Sequence, residues 1–360
     1  MRGMPPLPRA SARLGAFFLL AASFAWPAAN AQTPTVTGYN GTQIFVTAVG
    51  KDPAEPNACG VVGGASYWFT YKPPTNGIVM FNTTNSNFNT VLGIYYDNGS
   101  NAGYSSLVAA TCNDNAGAST LTSWVQWTGD PMTNYYIMLD GVNGAIGTAY
   151  LNYSLNARPN ITAIPTQSIN GDFATTNISF KISDRESSAT NLTLLGISTN
   201  LALVNTTNIV FGGSGTNRTV KVTPNLYKFG TNTITVVVTD PGGATNATRF
   251  LLQVAYTNHA PVTYSDTVTR LTGKAITIAR SFPPRNDTDV DGDTLTLTAV
   301  TSPSPGGVTI TLNTTNIIYS PATNYNSADR FIYTVSDGKG KTATGTNYIN
   351  VGTNGVSVVY

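Results

Sequence analysis

The C-terminal half of this chain contains a repeat. Pro224, Val236, Val238, Asp240 and Val254 recur as Pro321, Tyr333, Val335, Asp337 and Val351, each 97 positions further on. A constant offset over such a length means two copies of one folding unit. Within each copy apolar residues alternate with polar ones, as in Ile234, Val236, Val238 and in Phe331, Tyr333, Val335. That is the period of a half-buried strand. A unit of roughly 100 residues built from such strands predicts a β-sandwich of immunoglobulin size. Asp240 and Asp337 fall just past a strand end, where a loop begins, and a carboxylate in such a place invites a cation.

The rest of the chain reads the same way. Only 10% of its residues are charged and the net charge is +2. The Thr, Asn, Ser and Gly that replace the charges favour strands and turns over helices. With no basic field, nucleic acid and anionic lipid are not expected partners. Arg2, Arg9 and Arg13 precede an apolar run from Leu14 to Trp26, which ends at Ala29-Asn30-Ala31. This pattern predicts a secretory signal peptide over residues 1–31 with cleavage after Ala31, and hence a secreted or cell-surface protein. The run falls short of the roughly 20 residues a membrane helix needs, so no transmembrane segment is expected in the mature chain.

Cys59 and Cys112 are the only cysteines. In an exported chain they are expected to form a structural disulfide. A nucleophilic or metal-binding thiol is the rival reading, but neither has a histidine nearby in the sequence.

Between them and beyond them lie short alternating strands: Tyr67 with Phe69, Ile78 with Met80, Val91 with Gly93 and Tyr95, Tyr136 with Met138. Asn76-Gly77, Asn98-Gly99 and Asp140-Gly141 supply the turns, and an antiparallel sandwich follows. Four blocks carry a resemblance over Cys59 to Leu155. They are Tyr67-Trp68-Phe69, Asn87 to Leu92, Cys112-Asn113-Asp114-Asn115, and Tyr135-Tyr136-Ile137 leading to Asp140-Gly141. This region resembles the bacterial pre-peptidase C-terminal domain, a jelly-roll-like module that serves targeting or substrate contact in exported proteins. Asn89 stands where that family usually carries Asp, which weakens a cation site there. Trp124, Trp127, Tyr95 and Tyr96 either form a polymer-binding face or fill the core and its rim, and the core is the expectation.

Arg158-Pro159-Asn160 and Asn258-His259-Ala260-Pro261 read as short, rigid junctions. The domains expected are therefore 32–157, 158–257 and 258–352, with a tail over 353–360. The stretches NHAPV, NDTDVDGDTLTL and YSPATNYNSADRFIYTVSDGKG make the last domain similar to bacterial cadherin-like or immunoglobulin-like repeats. The preceding domain is a divergent relative. In such repeats acidic loops at the domain ends bind calcium and stiffen the joint with the neighbour. The fold class expected is all-β: a jelly-roll-like sandwich followed by two immunoglobulin-like ones.

The densest acidic segment is Asp287-Thr288-Asp289-Val290-Asp291-Gly292-Asp293. Four carboxylates at alternate positions of an extended segment project to one side, where their repulsion calls for a cation. Hard oxygen donors point to Ca2+. The first six positions also fit an EF-hand, but its twelfth is Thr298 rather than Glu and a strand follows instead of a helix. A solvated acidic turn, its repulsion screened by water, is the other reading. By resemblance, Asp337 and Asn258 complete the set, with Asp266 a weaker member. In the first copy only Asp184, Glu186 and Asp240 remain, so its site is expected to be weaker or absent. His259 sits where relatives often carry Asp, which weakens an interdomain site.

His259 is the only histidine, and it lies in a linker. A Ser-His-Asp triad, a Cys-His pair and a histidine-rich zinc site are therefore not expected. Gly212-Gly213-Ser214-Gly215 lacks the Lys and the helix of a phosphate-binding loop and reads as a hairpin turn. The function expected is a non-catalytic exported binding or adhesion protein with calcium-stiffened spacers and an extracellular protein or polysaccharide as partner. The alternative is an accessory polymer-binding fragment of a secreted hydrolase or peptidase.

Overall fold

In the computed structural model, which describes residues 33–100 and 102–352, strand follows strand and no α-helix occurs among the described residues. The expected signal peptide and the tail 353–360 lie outside the described residues. Two compact units divide the chain: residues up to Arg158 with Gly242–Ala244, and Pro159–Pro241 with the residues from Thr245 onward.

The first unit holds a jelly-roll-like sandwich. Its strands are β1 (Thr35–Val36), β2 (Asn40–Val46), β3 (Tyr67–Tyr71), β4 (Gly77–Asn82), β5 (Thr90–Asp97), β6 (Leu107–Asn113), β7 (Trp124–Gly129), β8 (Tyr135–Gly141) and β9 (Thr148–Ala157). They form one sheet in the order β1-β3-β8-β5-β6 and a second in the order β2-β9-β4-β7. Pairing is antiparallel except that β1 runs parallel to β3. A parallel pair needs a crossover, and here the chain passes through β2 in the other sheet on the way.

Alternation decides which side chains go inside. In β4 it is Val79 and Phe81 that are fully buried, while Ile78 and Met80 turn outward. Phe69, Leu92, Ile94, Ile137, Leu139 and Leu151 join them between the sheets. Burying one such side chain contributes about 1.5–3 kcal/mol.

The outer side of the five-stranded sheet is covered as well. Ala58 lies there against Val91, Tyr95 and Met138, with Trp68, Cys112 and Tyr136 packed around them. The Cys59–Cys112 disulfide, Cα–Cα 5.6 Å, ties this covering segment to β6. Lys51 reaches Asp140 at 3.0 Å, and the fully buried Asp140 also accepts hydrogen bonds from the backbone N–H groups of Gly64, Ala65 and Gly141. A buried carboxylate so completely partnered locks the segment in place.

The second unit holds two sandwiches. One comprises β10 (Asn160–Ile161), β11 (Gln167–Asn170), β12 (Ile178–Ser183), β13 (Thr193–Ser198), β14 (Ile209–Ser214), β15 (Asn217–Val222), β16 (Gly230–Thr239) and β17 (Thr245–Ala255). The other comprises β18 (Asp266–Leu271), β19 (Ile276–Ala279), β20 (Thr296–Val300), β21 (Thr309–Leu312), β22 (Asn316–Ser320), β23 (Asp329–Ser336) and β24 (Thr342–Gly352). The sheets run β10-β12-β15-β14 and β11-β17-β16-β13, then β18-β24-β23-β20 and β19-β22-β21.

The repeat appears as equivalent strands. β16 buries Ile234, Val236 and Val238, and β23 buries Phe331, Tyr333 and Val335 at the same register positions. In both copies an early strand pairs in parallel with the last one, β11 with β17 and β18 with β24. Asp240 and Asp337 follow directly on the ends of β16 and β23; Gly212 to Ser214 lie in β14, and Gly215 with Thr216 makes the turn into β15.

Candidate metal centre

The acidic segment lies between a single 3-10 turn, Pro283–Arg285, and β20; it is extended at Thr288, which bridges Val262, and then turns. Asp289 Oδ1 accepts from the backbone N–H of Asp291 at 2.8 Å, its carbonyl accepts from Gly292 at 3.2 Å, and Gly292 has φ +80°. This Asx-type turn needs the left-handed glycine. It also separates the four carboxylates that an extended chain would project to one side.

Each goes to a different partner. Asp287 accepts from the backbone N–H of Tyr264 at 2.8 Å and from the Tyr333 hydroxyl at 3.0 Å, so it fastens the loop to β23. Burial pushes its carboxyl above the usual carboxylate range, against those hydrogen bonds. Asp291 turns to His259. Only Asp289 and Asp293 meet Asp337, with one oxygen from each of the three within 4.8 Å of the others.

Two oxygens in this trio are left over. Asp289 Oδ2 and Asp293 Oδ2 are buried and have no hydrogen-bond partner. Asp337, by contrast, is fully engaged: Oδ1 accepts from the backbone N–H groups of Lys339 at 2.7 Å and Lys341 at 3.0 Å, and Oδ2 accepts from Asn258 Nδ2 at 2.7 Å. Burial raises the Asp337 carboxyl, but these hydrogen bonds outweigh it and hold the group below its ordinary value. Lys339 Nζ stands 2.5 Å from Asp293 Oδ1 and neutralises part of the charge. Oxygens around one Ca2+ at about 2.3–2.6 Å lie within about 5 Å of one another, so the trio has the right span. A hard divalent cation fits this all-oxygen set, and orphaned buried carboxylate oxygens are the groups it would satisfy.

Next to the trio, His259 occupies the place where an acidic residue was expected. Its backbone N–H donates to Asp291 Oδ2 at 2.7 Å, its Nδ1 lies 3.0 Å from Asp291 Oδ1, and its Nε2 lies 2.5 Å from Asp172 Oδ2. Asp172 also accepts from the backbone N–H of Tyr227 at 2.7 Å, and the Tyr227 ring meets the imidazole edge-on at 4.8 Å. The hydrogen bonds to Asp291 and then to Asp172 raise the pKa of His259. Asp172 belongs to the loop after β11 and Asp291 to the loop before β20, so one imidazole links the two sandwiches of this unit. Both ring nitrogens of His259 thus face carboxylates, which favours its protonated form.

The first copy is poorer. Asp184 Oδ1 caps its own turn by accepting from Glu186 and Ser187 N–H, Glu186 lies 3.4 Å from Arg185, and Asp240 is buried at the end of β16. Among the described residues these three do not converge as Asp289, Asp293 and Asp337 do. Asp266 lies apart from the trio, buried at the start of β18, where loss of water pushes its pKa up to about 6. Sequence reasoning missed Asp172, Tyr227 and Lys339; Asp172 stands alone after the Asn170-Gly171 turn, with no second carboxylate beside it.

Of the aromatic residues of the first sandwich, Trp127 stacks on Phe81 at 5.7 Å and Tyr95 is buried. Trp124 and Tyr96 remain exposed.

Residues 258–350 match the family of bacterial Ig domains. No curated protein matches the chain. Among solved structures, the titin domains Z1Z2 in complex with telethonin are 10% identical, over 55% of this chain and 98% of that one, with a TM-score of 0.25. Human mucin-like protocadherin EC1-2 is 15% identical, over 54% and 98%, with a TM-score of 0.31. Drosophila N-cadherin EC1-4 is 13% identical, over 61% and 57%, with a TM-score of 0.33.

Proposed function

We propose that this is an exported, non-catalytic adhesion or matrix-contact protein whose last two sandwiches form a spacer stiffened by Ca2+. The observation that carries the reading is the convergence of Asp289, Asp293 and Asp337, two of which keep a buried oxygen without a hydrogen-bond partner, beside the linker residue Asn258. Asp289, Asp293 and Asp337 would hold the ion; Asn258 fixes Asp337 through its amide. Asp287 and Asp291 act instead as fasteners to Tyr333 and His259.

Export is supported by the leader-like residues 1–31 and by the Cys59–Cys112 disulfide, which suits an oxidising compartment. Among the described residues no helix is long and apolar enough to cross a membrane. The likeness of residues 59–155 to the pre-peptidase C-terminal family gives the first sandwich the role of contact module. The test is small-angle scattering of the secreted chain in calcium and in chelator. Calcium should narrow the distribution of interdomain distances, and an Asp289→Asn, Asp293→Asn double variant should not respond. Identical profiles for the parent in both buffers would refute the spacer reading.

A further inference from the structure

The first sandwich has two sheet faces that turn away from its core; the four-stranded one meets Gly242 and Gly243 only at its Ile78–Asn156 end, and Trp124 and Ile44 are exposed beyond it. The disulfide-tethered segment around Ala58 packs over the five-stranded sheet. On the four-stranded sheet the strand registers place Thr42, Asn152, Asn82 and Trp124 in one outward row across β2, β9, β4 and β7. The next row is Asn40, Ser154, Met80 and Gln126. Each row spans about 14 Å, and the rows lie about 7 Å apart.

We propose that this face docks a neutral polysaccharide chain. Neither row holds an ionisable side chain, so the face complements an uncharged partner. An anionic glycan, a nucleic acid or an acidic peptide needs the Lys and Arg that are missing here. What the rows do offer is amides, hydroxyls and one indole, which is 42% exposed although its strand neighbour Val125 is 2% exposed. An aromatic ring stacks on the C–H face of a pyranose, while amides and hydroxyls meet the hydroxyl rim. Within these rows the apolar positions Met80 and Trp124 are separated by polar ones, while Ile44, Tyr150 and Val46 extend the same face beyond Thr42 and Asn152.

The polar row is held in place before any ligand arrives. Thr42 Oγ1 donates to Asn152 Oδ1 at 2.8 Å, and Asn152 Nδ2 donates to Asn82 Oδ1 at 3.1 Å and to the Thr84 carbonyl at 3.1 Å. Side chains fixed in this way lose little entropy on binding. A face of paired strands suits a chain of sugars lying across them rather than a single sugar in a pocket.

This inference rests on the first sandwich being the contact module, and its test is separable from the calcium test. The secreted chain is incubated with insoluble cellulose, chitin, β-1,3-glucan and mannan, with alginate and collagen alongside. Retention on at least one neutral glycan is expected, unchanged by high salt or by chelator. Trp124→Ala should lower the retained affinity about tenfold, the loss typical of an aromatic anchor, with an unchanged melting temperature. A Thr42→Ala, Gln126→Ala double variant should weaken it as well. No retention on any neutral glycan, retention on collagen or alginate alone, or retention that survives Trp124→Ala would overturn the inference. Retention that persists when calcium has no effect on the last two sandwiches would leave the glycan face standing and remove the spacer.

Discussion

Asp291 accepts two hydrogen bonds from His259, one from the backbone N–H at 2.7 Å and one at 3.0 Å on the side of ring Nδ1. With Asp172 at the opposite ring nitrogen, the imidazole is held between two carboxylates whose own pKa values are lowered. A histidine whose folded pKa is raised contributes stability that is fully present below its unfolded value of about 6.5 and is lost as pH rises through the folded value.

The melting temperature of the second unit should therefore fall over the pH range from about 6.5 upward, as the unfolded histidine loses its proton before the folded one does. His259→Gln should flatten that fall. A parent chain with the same melting temperature across the range would contradict the clamp.

The pKa of Asp266 is shifted in the opposite direction to that of a partnered carboxylate. Its folded pKa, pushed up to about 6 by burial, exceeds the unfolded value of 3.8. The folded state therefore loses stability as pH rises from about 4 to about 6, while the unfolded chain ionises first. Asp266→Asn should melt above the parent at neutral pH and close to it at pH 4. A variant that is less stable at neutral pH would show that the Asp266 charge is wanted.

The strands and the two cysteines were legible because their signals are local and periodic: Val236 and Tyr333 are buried as their alternation requires. The destination of each carboxylate was not. Alternate positions share a side only in an extended chain, and the turn closed by Asp289 and Gly292 breaks that condition. Asp172 was invisible for another reason. It meets His259 across 87 positions of sequence, and although Asn170-Gly171 marks a turn there, nothing local says that the turn meets His259. Alternation could say that Trp124 and Trp127 do not share a sheet face, yet not which of them faces the core.

Reduction of Cys59–Cys112 should act on the first unit alone. The bond joins residues 53 apart, and releasing a loop of that size costs about 4 kcal/mol through the unfolded chain. A Cys59→Ser, Cys112→Ser double variant should melt its first unit earlier while the transition of the second unit stays put. Equal melting of reduced and oxidised chains would contradict this.

Arg270 is fully buried, donating from its guanidinium to the carbonyls of Leu271, Tyr325 and Ser327 and lying 5.0 Å over the Tyr325 ring. Removing it leaves carbonyls unpaired as well as a void. Arg270→Ala should cost about 3–5 kcal/mol by denaturant unfolding, and a loss below about 1 kcal/mol would refute its structural role.

Titration calorimetry of the secreted chain with calcium tests the central claim most directly. One site per chain is expected, with a rise in the melting temperature of the second unit that follows the bound fraction. Both should vanish in the Asp289→Asn, Asp293→Asn variant and survive in Asp184→Asn. No heat and no shift at millimolar calcium would contradict the account.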